Sequence, residues 1–225
     1  KVKRLRRKTL LLPVPIKRIK NKLNFFGGNM NITAKDIAAI RTKTGLPMME
    51  IKSALIEAGG NEERAMEILR KKGLSKSEKR AGKKTNSGVV DSYVHAGRIG
   101  VLVEVLCETD FVAKNEDFKN FAHEISLQVA ATAPSYVEKD KIPTEVLEKE
   151  KKLFVEEAKN SGKPENVIEK IVQGRLETYY SEVALLSQPY FRDPKKTVSD
   201  LLNEIIAKTG EKIIVSRFAR IELSC

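Results

Sequence analysis

HAGRIGVLVEVLCETDFVAKN, residues 95 to 115, holds a turn, a strand and a corner in one run. Ile99, Val101, Val103, Val105 and Cys107 recur at every second position, the period that places them on one face of a half-buried strand. A second β-rich run, Val89 to His95, comes just before Ala96-Gly97, so the two runs read as a hairpin. Thr-Asp-Phe-Val-Ala-Lys-Asn, residues 109 to 115, follows and leads into a helix whose apolar stripe is Phe118, Phe121, Ala122, Ile125 and Val129. Asp110 and Phe111 thus stand at a strand-to-helix corner. Withdrawing a Phe from water is worth roughly 2–3 kcal/mol. Phe111 therefore either folds back to cap its own sheet or is held out for another molecule.

Ile213 to Leu223 is a third strand candidate, and everything between the second and third strands reads as helical. An α+β domain with a small antiparallel three-stranded sheet follows, spanning residues 88–225. Within it, Pro143 to Asn160 and Pro164 to Tyr180 are charged helical stretches around Ser161-Gly162-Lys163. They read as a helical hairpin over about 143–181 that projects, or as one folded back on the sheet. His123 lies opposite the apolar stripe of its helix and reads as a solvated surface residue.

Upstream, residues 30–73 carry the punctuation of three short helices. Thr33 with Asp36 resembles a capping box, Ile37 and Ile40 keep helical spacing, and Gly45 is a stop. Pro47 opens a second helix through Ile51, Ala54, Leu55 and Ala58, ended by Gly59-Gly60. Asn61 opens a third through Ala65, Ile68 and Leu69, closed by Gly73. Three helices in so short a span form a bundle like ubiquitin-associated domains, a docking module too small for a catalytic pocket. Met48 and Met49 are adjacent and point about 100° apart on a helix; they fill the core or form an adaptable contact surface. Residues 74–87, LSKSEKRAGKKTNS, read as a flexible or partly helical linker.

The net charge of +12 is local. Residues 1–29 hold ten Lys or Arg and no acid, whereas the rest of the chain has 32 basic against 30 acidic residues. A nucleic-acid or membrane-surface role read from charge applies only to that leader. The leader has alternative readings as an organellar transit peptide, or as non-native sequence, because Gly27-Gly28-Asn29 before Met30 can be encoded by a ribosome-binding site. The last alternative favours a bacterial cytoplasm; the first, a mitochondrion or plastid. Two cysteines, Cys107 and Cys225, make no disulfide framework. No run is long and apolar enough to cross a membrane. The two histidines and two cysteines lack ligand spacing, so neither metal nor cofactor is expected. Gly97-Arg98-Ile99-Gly100 lacks the pattern of a phosphate loop, and no nucleophile–base set is evident.

Four segments together carry a resemblance: IRTKTGLPMMEIKSAL (40 to 55) with GGNEERAMEILRKKG (59 to 73), HAGRIGVLVEVLCETDFVAKN (95 to 115), SGKPENVIEKIVQGR (161 to 175) and EVALLSQPYFRDPKKTVSDLL (182 to 202). In that order they resemble the elongation factor Ts family, guanine-nucleotide exchange factors of elongation factor Tu. The resemblance implies no chemical active site. It implies that the bundle docks on the GTPase through Arg41, Met48 and Met49. It implies that Asp110 and Phe111, in the motif Thr109, Asp110, Phe111, Val112, Ala113, Lys114, Asn115, intrude beside its magnesium and phosphates. His95 matches a further contact position. Longer members carry two related sheet cores where this sequence holds one, so a homodimer, through the hairpin or Cys225, is a further expectation. The competing reading is a protein-binding module whose basic arm contacts RNA.

Overall fold

A computed structural model describes residues 32–160 and 164–223, so the leader, Ser161-Gly162-Lys163 and Cys225 lie outside the described residues. In chain order the elements are α1 (Ala34–Thr44), α2 (Met48–Glu57), α3 (Glu62–Arg80), β1 (Ser87–His95), β2 (Ile99–Cys107), α4 (Asp110–Ala113), α5 (Glu116–Thr132), α6 (Thr144–Asn160), α7 (Glu165–Val183), β3 (Pro189–Tyr190), β4 (Asp193–Thr197), α8 (Val198–Thr209) and β5 (Ile213–Glu222). The class is α+β, as expected.

The bundle begins where its caps place it. Thr33 and Asp36 satisfy each other's backbone N–H in a capping box, and Gly45 ends α1 at φ +67°. Asn61 accepts the Arg64 N–H at 2.9 Å to open α3. Ile40, Leu46, Ile51, Leu55, Ala65 and Leu69 close the bundle core.

Gly73 does not end the third helix. α3 continues to Arg80, so Leu74 to Arg80, the first half of the stretch read as a flexible or partly helical linker, is helical. A mid-helix glycine costs about 1 kcal/mol relative to alanine. Here it admits α8, because a Cβ at Gly73 would come within 3.3 Å of the Ala207 methyl. Close helix packing outweighs the local preference. The far end of α3 is also fixed, with Arg80 bonded to Glu108 at 2.8 Å. The Lys212 ammonium donates to the carbonyls of Ala81 and Lys83 at 2.5 and 3.0 Å. The connection from the bundle is thus a helix packed on α8 as far as Arg80, followed by residues 81–86, whose first part Lys212 holds.

β1, β2 and β5 form an antiparallel sheet in that order. Ala96 and Gly97 both take positive φ, 49° and 68°, and the Arg98 N–H donates to the His95 carbonyl at 2.9 Å. That is the signature of the primed turn whose twist suits a hairpin. The β2–β5 register shifts at Glu104/Val105, leaving Ser216 as the extra residue between Val215 and Arg217. One sheet face carries Val101, Val103, Val105, Cys107, Ile213 and Val215 against Phe118, Phe121, Ile125 and Val129 of α5 and Val198, Ile205 and Ile206 of α8. The other face leaves Val90, Val94, Leu102 and Ile221 exposed.

The expectation of helix throughout the stretch between β2 and β5 is also corrected, since β3 and β4 form a small antiparallel pair. A buried amide on α5 holds it there. Gln128 accepts the Phe191 N–H at 2.9 Å and donates to the Pro189 carbonyl and Gln188 Oε1, each at 3.2 Å. The Tyr190 hydroxyl donates to Glu124 at 2.6 Å, and burial together with that bond raises its pKa. α6 and α7 make the helical hairpin and take most of their packing from each other. Phe154 meets Tyr179 edge-on at 6.4 Å, and Arg175 pairs with Glu157 while lying over the Phe154 ring. Among the described residues no helix is long and apolar enough to cross a membrane, and no cluster of potential ligands could hold a metal.

Candidate functional site

The corner after β2 is built to present two side chains. The N–H and hydroxyl of Thr109 donate to the Glu211 carboxylate at 3.0 and 2.7 Å, and its carbonyl accepts from the Cys107 thiol at 3.1 Å. Thr109 also caps the single turn of α4, and Asn115 caps α5 by accepting the Asp117 N–H at 2.8 Å. Val112 and Ala113 take the packing against the sheet core. Phe111 takes none of it and stands 81% exposed. The reading of Phe111 as a cap on its own sheet is therefore excluded. Beside it, Asp110 accepts from the Lys114 ammonium at 3.0 Å, one helical turn away. That bond, and the charge behind it, holds the Asp110 carboxyl below the ordinary range, so it is an anion at neutral pH.

Arg41, Met48 and Met49 surround the turn between α1 and α2. All three are exposed, Met49 by 74%, so neither methionine fills the core. One lysine lies between this turn and the start of α5. A Cβ on Gly45 would lie 2.5 Å from the Lys208 Cε, and the Lys208 ammonium bonds Asp117 in the first turn of α5 at 2.6 Å. The positive φ of Gly45 is what favours glycine here, since the Lys208 side-chain end could move aside. Lys208 of α8 thus lies between the TGLPMM turn and the first turn of α5, the helix that follows the TDFVAKN corner.

The profile of the family described as Elongation factor TS matches residues 50–223, most of the chain. The chain belongs to that family. Elongation factor Ts of Caldanaerobacter subterraneus subsp. tengcongensis is 56% identical over 192 residues, which cover 85% of this chain and 96% of the relative. The homologue from Moorella thermoacetica is 55% identical over 193 residues, 85% and 95% of the two chains. That from Thermoanaerobacter sp. strain X514 is 53% identical over 192 residues, 85% and 94%. Membership in the elongation factor Ts family makes this chain a translation elongation factor.

The structure does not bring His95 to the corner. Ser87 pairs with Cys107 at the corner end of the β1–β2 ladder, and His95 pairs with Ile99 at the hairpin end. The eight intervening steps span about 26 Å at roughly 3.3 Å per residue. At that end His95 shares a bond with the Tyr93 hydroxyl at 2.9 Å. His123 is exposed as expected, and it also pairs with Asp91 at 3.2 Å. A cleft of about 280 Å³ between the bundle and α8 is floored by Leu46, Met66, Leu69 and Ala207. Of its rim charges, Arg70 pairs with Asp200, Lys196 with Glu204 and Lys43 with Glu62, and the cleft contains neither histidine nor cysteine. It offers no chemistry.

Four residues that matter to the corner were not foreseen: Glu108, Lys208, Glu211 and Lys212. Thr109 meets Glu211, and Glu108 meets Lys212, across more than 100 residues. No local pattern announces such contacts. The nearest signal was Gly210, which ends α8 at φ +74° and so fixes where the following charges fall.

Proposed function

We propose that this chain binds GDP-loaded elongation factor Tu and accelerates release of GDP, so that GTP can load. The observation that carries the reading is Phe111, an aromatic held out in water by a corner whose other apolar residues are packed. An exposed Phe on a fixed turn is a large apolar surface with little conformational freedom left to lose on binding. Arg41, Met48 and Met49 supply the docking contact, and the thioethers adapt to the surface they meet. Asp110 and Phe111 then enter beside the magnesium and phosphates of the partner's nucleotide. An anionic carboxylate there competes with phosphate oxygens for the partner's Mg²⁺ and leaves phosphate charge uncompensated. His95, at the far end of the ladder, contributes a separate contact.

The thermodynamics are reciprocal. A protein that binds the empty GTPase more tightly than the loaded one weakens nucleotide binding by the same factor. No bond is made or broken, so the chain acts as an exchange factor and not as an enzyme. The setting is the bacterial cytoplasm. The test is release of a fluorescent GDP analogue from elongation factor Tu in excess unlabelled nucleotide. Catalytic amounts of this chain should accelerate it, and an unchanged release rate refutes the proposal.

A further inference from the structure

We propose that Glu108 is a positioning residue that locks the docking bundle to the Asp110–Phe111 corner; this rests on the exchange function proposed above. Glu108 is the residue between β2 and the corner, with its side chain 17% exposed. One carboxylate oxygen accepts both the Lys212 N–H at 2.6 Å and the Arg80 guanidinium at 2.8 Å. Arg80 is the last residue of α3, the helix that carries the bundle. The Lys212 side chain reaches the same helix end, through the carbonyls of Ala81 and Lys83. Next to Glu108, Thr109 is tied to Glu211 by two further bonds.

The two residues before Asp110 are thus fastened on one side to the helix end and on the other to the segment that starts β5. Beyond the corner, Lys208 of α8 bonds Asp117 of α5 at 2.6 Å while its side chain passes close to Gly45 of the bundle. The corner is bracketed by contacts that reach the bundle from both flanks. An isolated exposed ion pair contributes little, but Glu108 is mostly enclosed and is held by a backbone N–H as well, so its loss frees a helix end and not only a charge. With the clamp open, the bundle still docks through its own surface while the Asp110–Phe111 pair arrives misaligned. A misplacement of about 1 Å costs up to 10²-fold in systems that depend on positioning.

The experiment measures fluorescent-GDP release from elongation factor Tu across a concentration series of the full chain, wild type against Glu108→Ala. Expected is a fall of at least about tenfold in the saturating release rate, with the half-saturating concentration changed by less than about threefold and the melting temperature within a few degrees. Arg80→Ala should give a smaller fall of the same kind, and the double variant should be no worse than Glu108→Ala, since the two share one contact. Should Glu108→Ala not fold, Arg80→Ala and Glu108→Gln decide the matter, the latter keeping the acceptor and most of the rate. A wild-type saturating rate in folded Glu108→Ala, or in Arg80→Ala should Glu108→Ala not fold, overturns the proposal, as does equal loss in rate and apparent affinity. If the wild-type chain itself leaves release unaltered, the exchange function falls, and the positioning role with it.

Discussion

Replacing Phe111 by alanine separates presentation from packing. At 81% exposure only about a fifth of the side chain is withdrawn from water. On a scale of roughly 2–3 kcal/mol for full burial, truncation costs the fold about 0.5 kcal/mol. For a chain of this size that is a loss of about 1–2 °C in melting temperature. If docking covers the remaining surface, the same truncation removes about 2 kcal/mol from the complex, or about 30-fold. Fluorescent-GDP release from elongation factor Tu, at exchange-factor concentrations below saturation, reads the second quantity, and a thermal melt reads the first. The expected result is a release rate down about 30-fold with an almost unmoved melt. A rate within twofold of wild type refutes the role assigned to Phe111. A melt lowered by about 8 °C or more would mean that the side chain packs at home.

Met48→Ala with Met49→Ala should raise the half-saturating concentration about tenfold or more while leaving the saturating rate near wild type; a lowered saturating rate instead would move the methionines from docking to the nucleotide step. Burial, and next the charge of Glu211, push the Cys107 thiol up to about 11. In a Cys225→Ser background the native thiol should react with Ellman's reagent at pH 8 far more slowly than after unfolding in guanidine, and rapid native labelling would refute its enclosure. Because the folded value is the raised one, the stabilisation it reflects is complete below about pH 8.5 and fades as pH climbs towards 11. For the homodimer expected through the helical hairpin or Cys225, the bare sheet face, where Val90, Val94, Leu102 and Ile221 lie exposed, is a further candidate surface. Leu102→Lys should halve the mass seen by light scattering, and an unchanged mass refutes self-association through this face.

The parts of the fold legible in sequence were those with a local cause. Thr33 and Asp36, Asn61 and Gly45 mark helix ends because caps satisfy backbone groups within a turn. The alternation from Ile99 to Cys107 fixed which face of β2 is buried. What stayed hidden was decided at a distance. Gly73 looks like a stop until Ala207 packs on it. Pro189-Tyr190 is too short to read as a strand until the Gln128 amide, about 60 residues earlier, supplies its bonds. For the site, motif and exposure could be read or framed as alternatives, whereas the separation of His95 required the register of the hairpin.

α8 has a consequence for how the protein comes apart. Ile205 and Ile206 belong to the sheet core, while the next residue, Ala207, belongs to the core of the bundle. Three consecutive residues therefore feed two cores, and neither can melt without stripping a side of the helix that completes the other. Despite having two cores, the bundle and the sheet domain should lose structure in one cooperative step, with a single calorimetric endotherm for the pair. Native-state hydrogen exchange should find α3, α5 and α8 opening together, at the free energy of global unfolding.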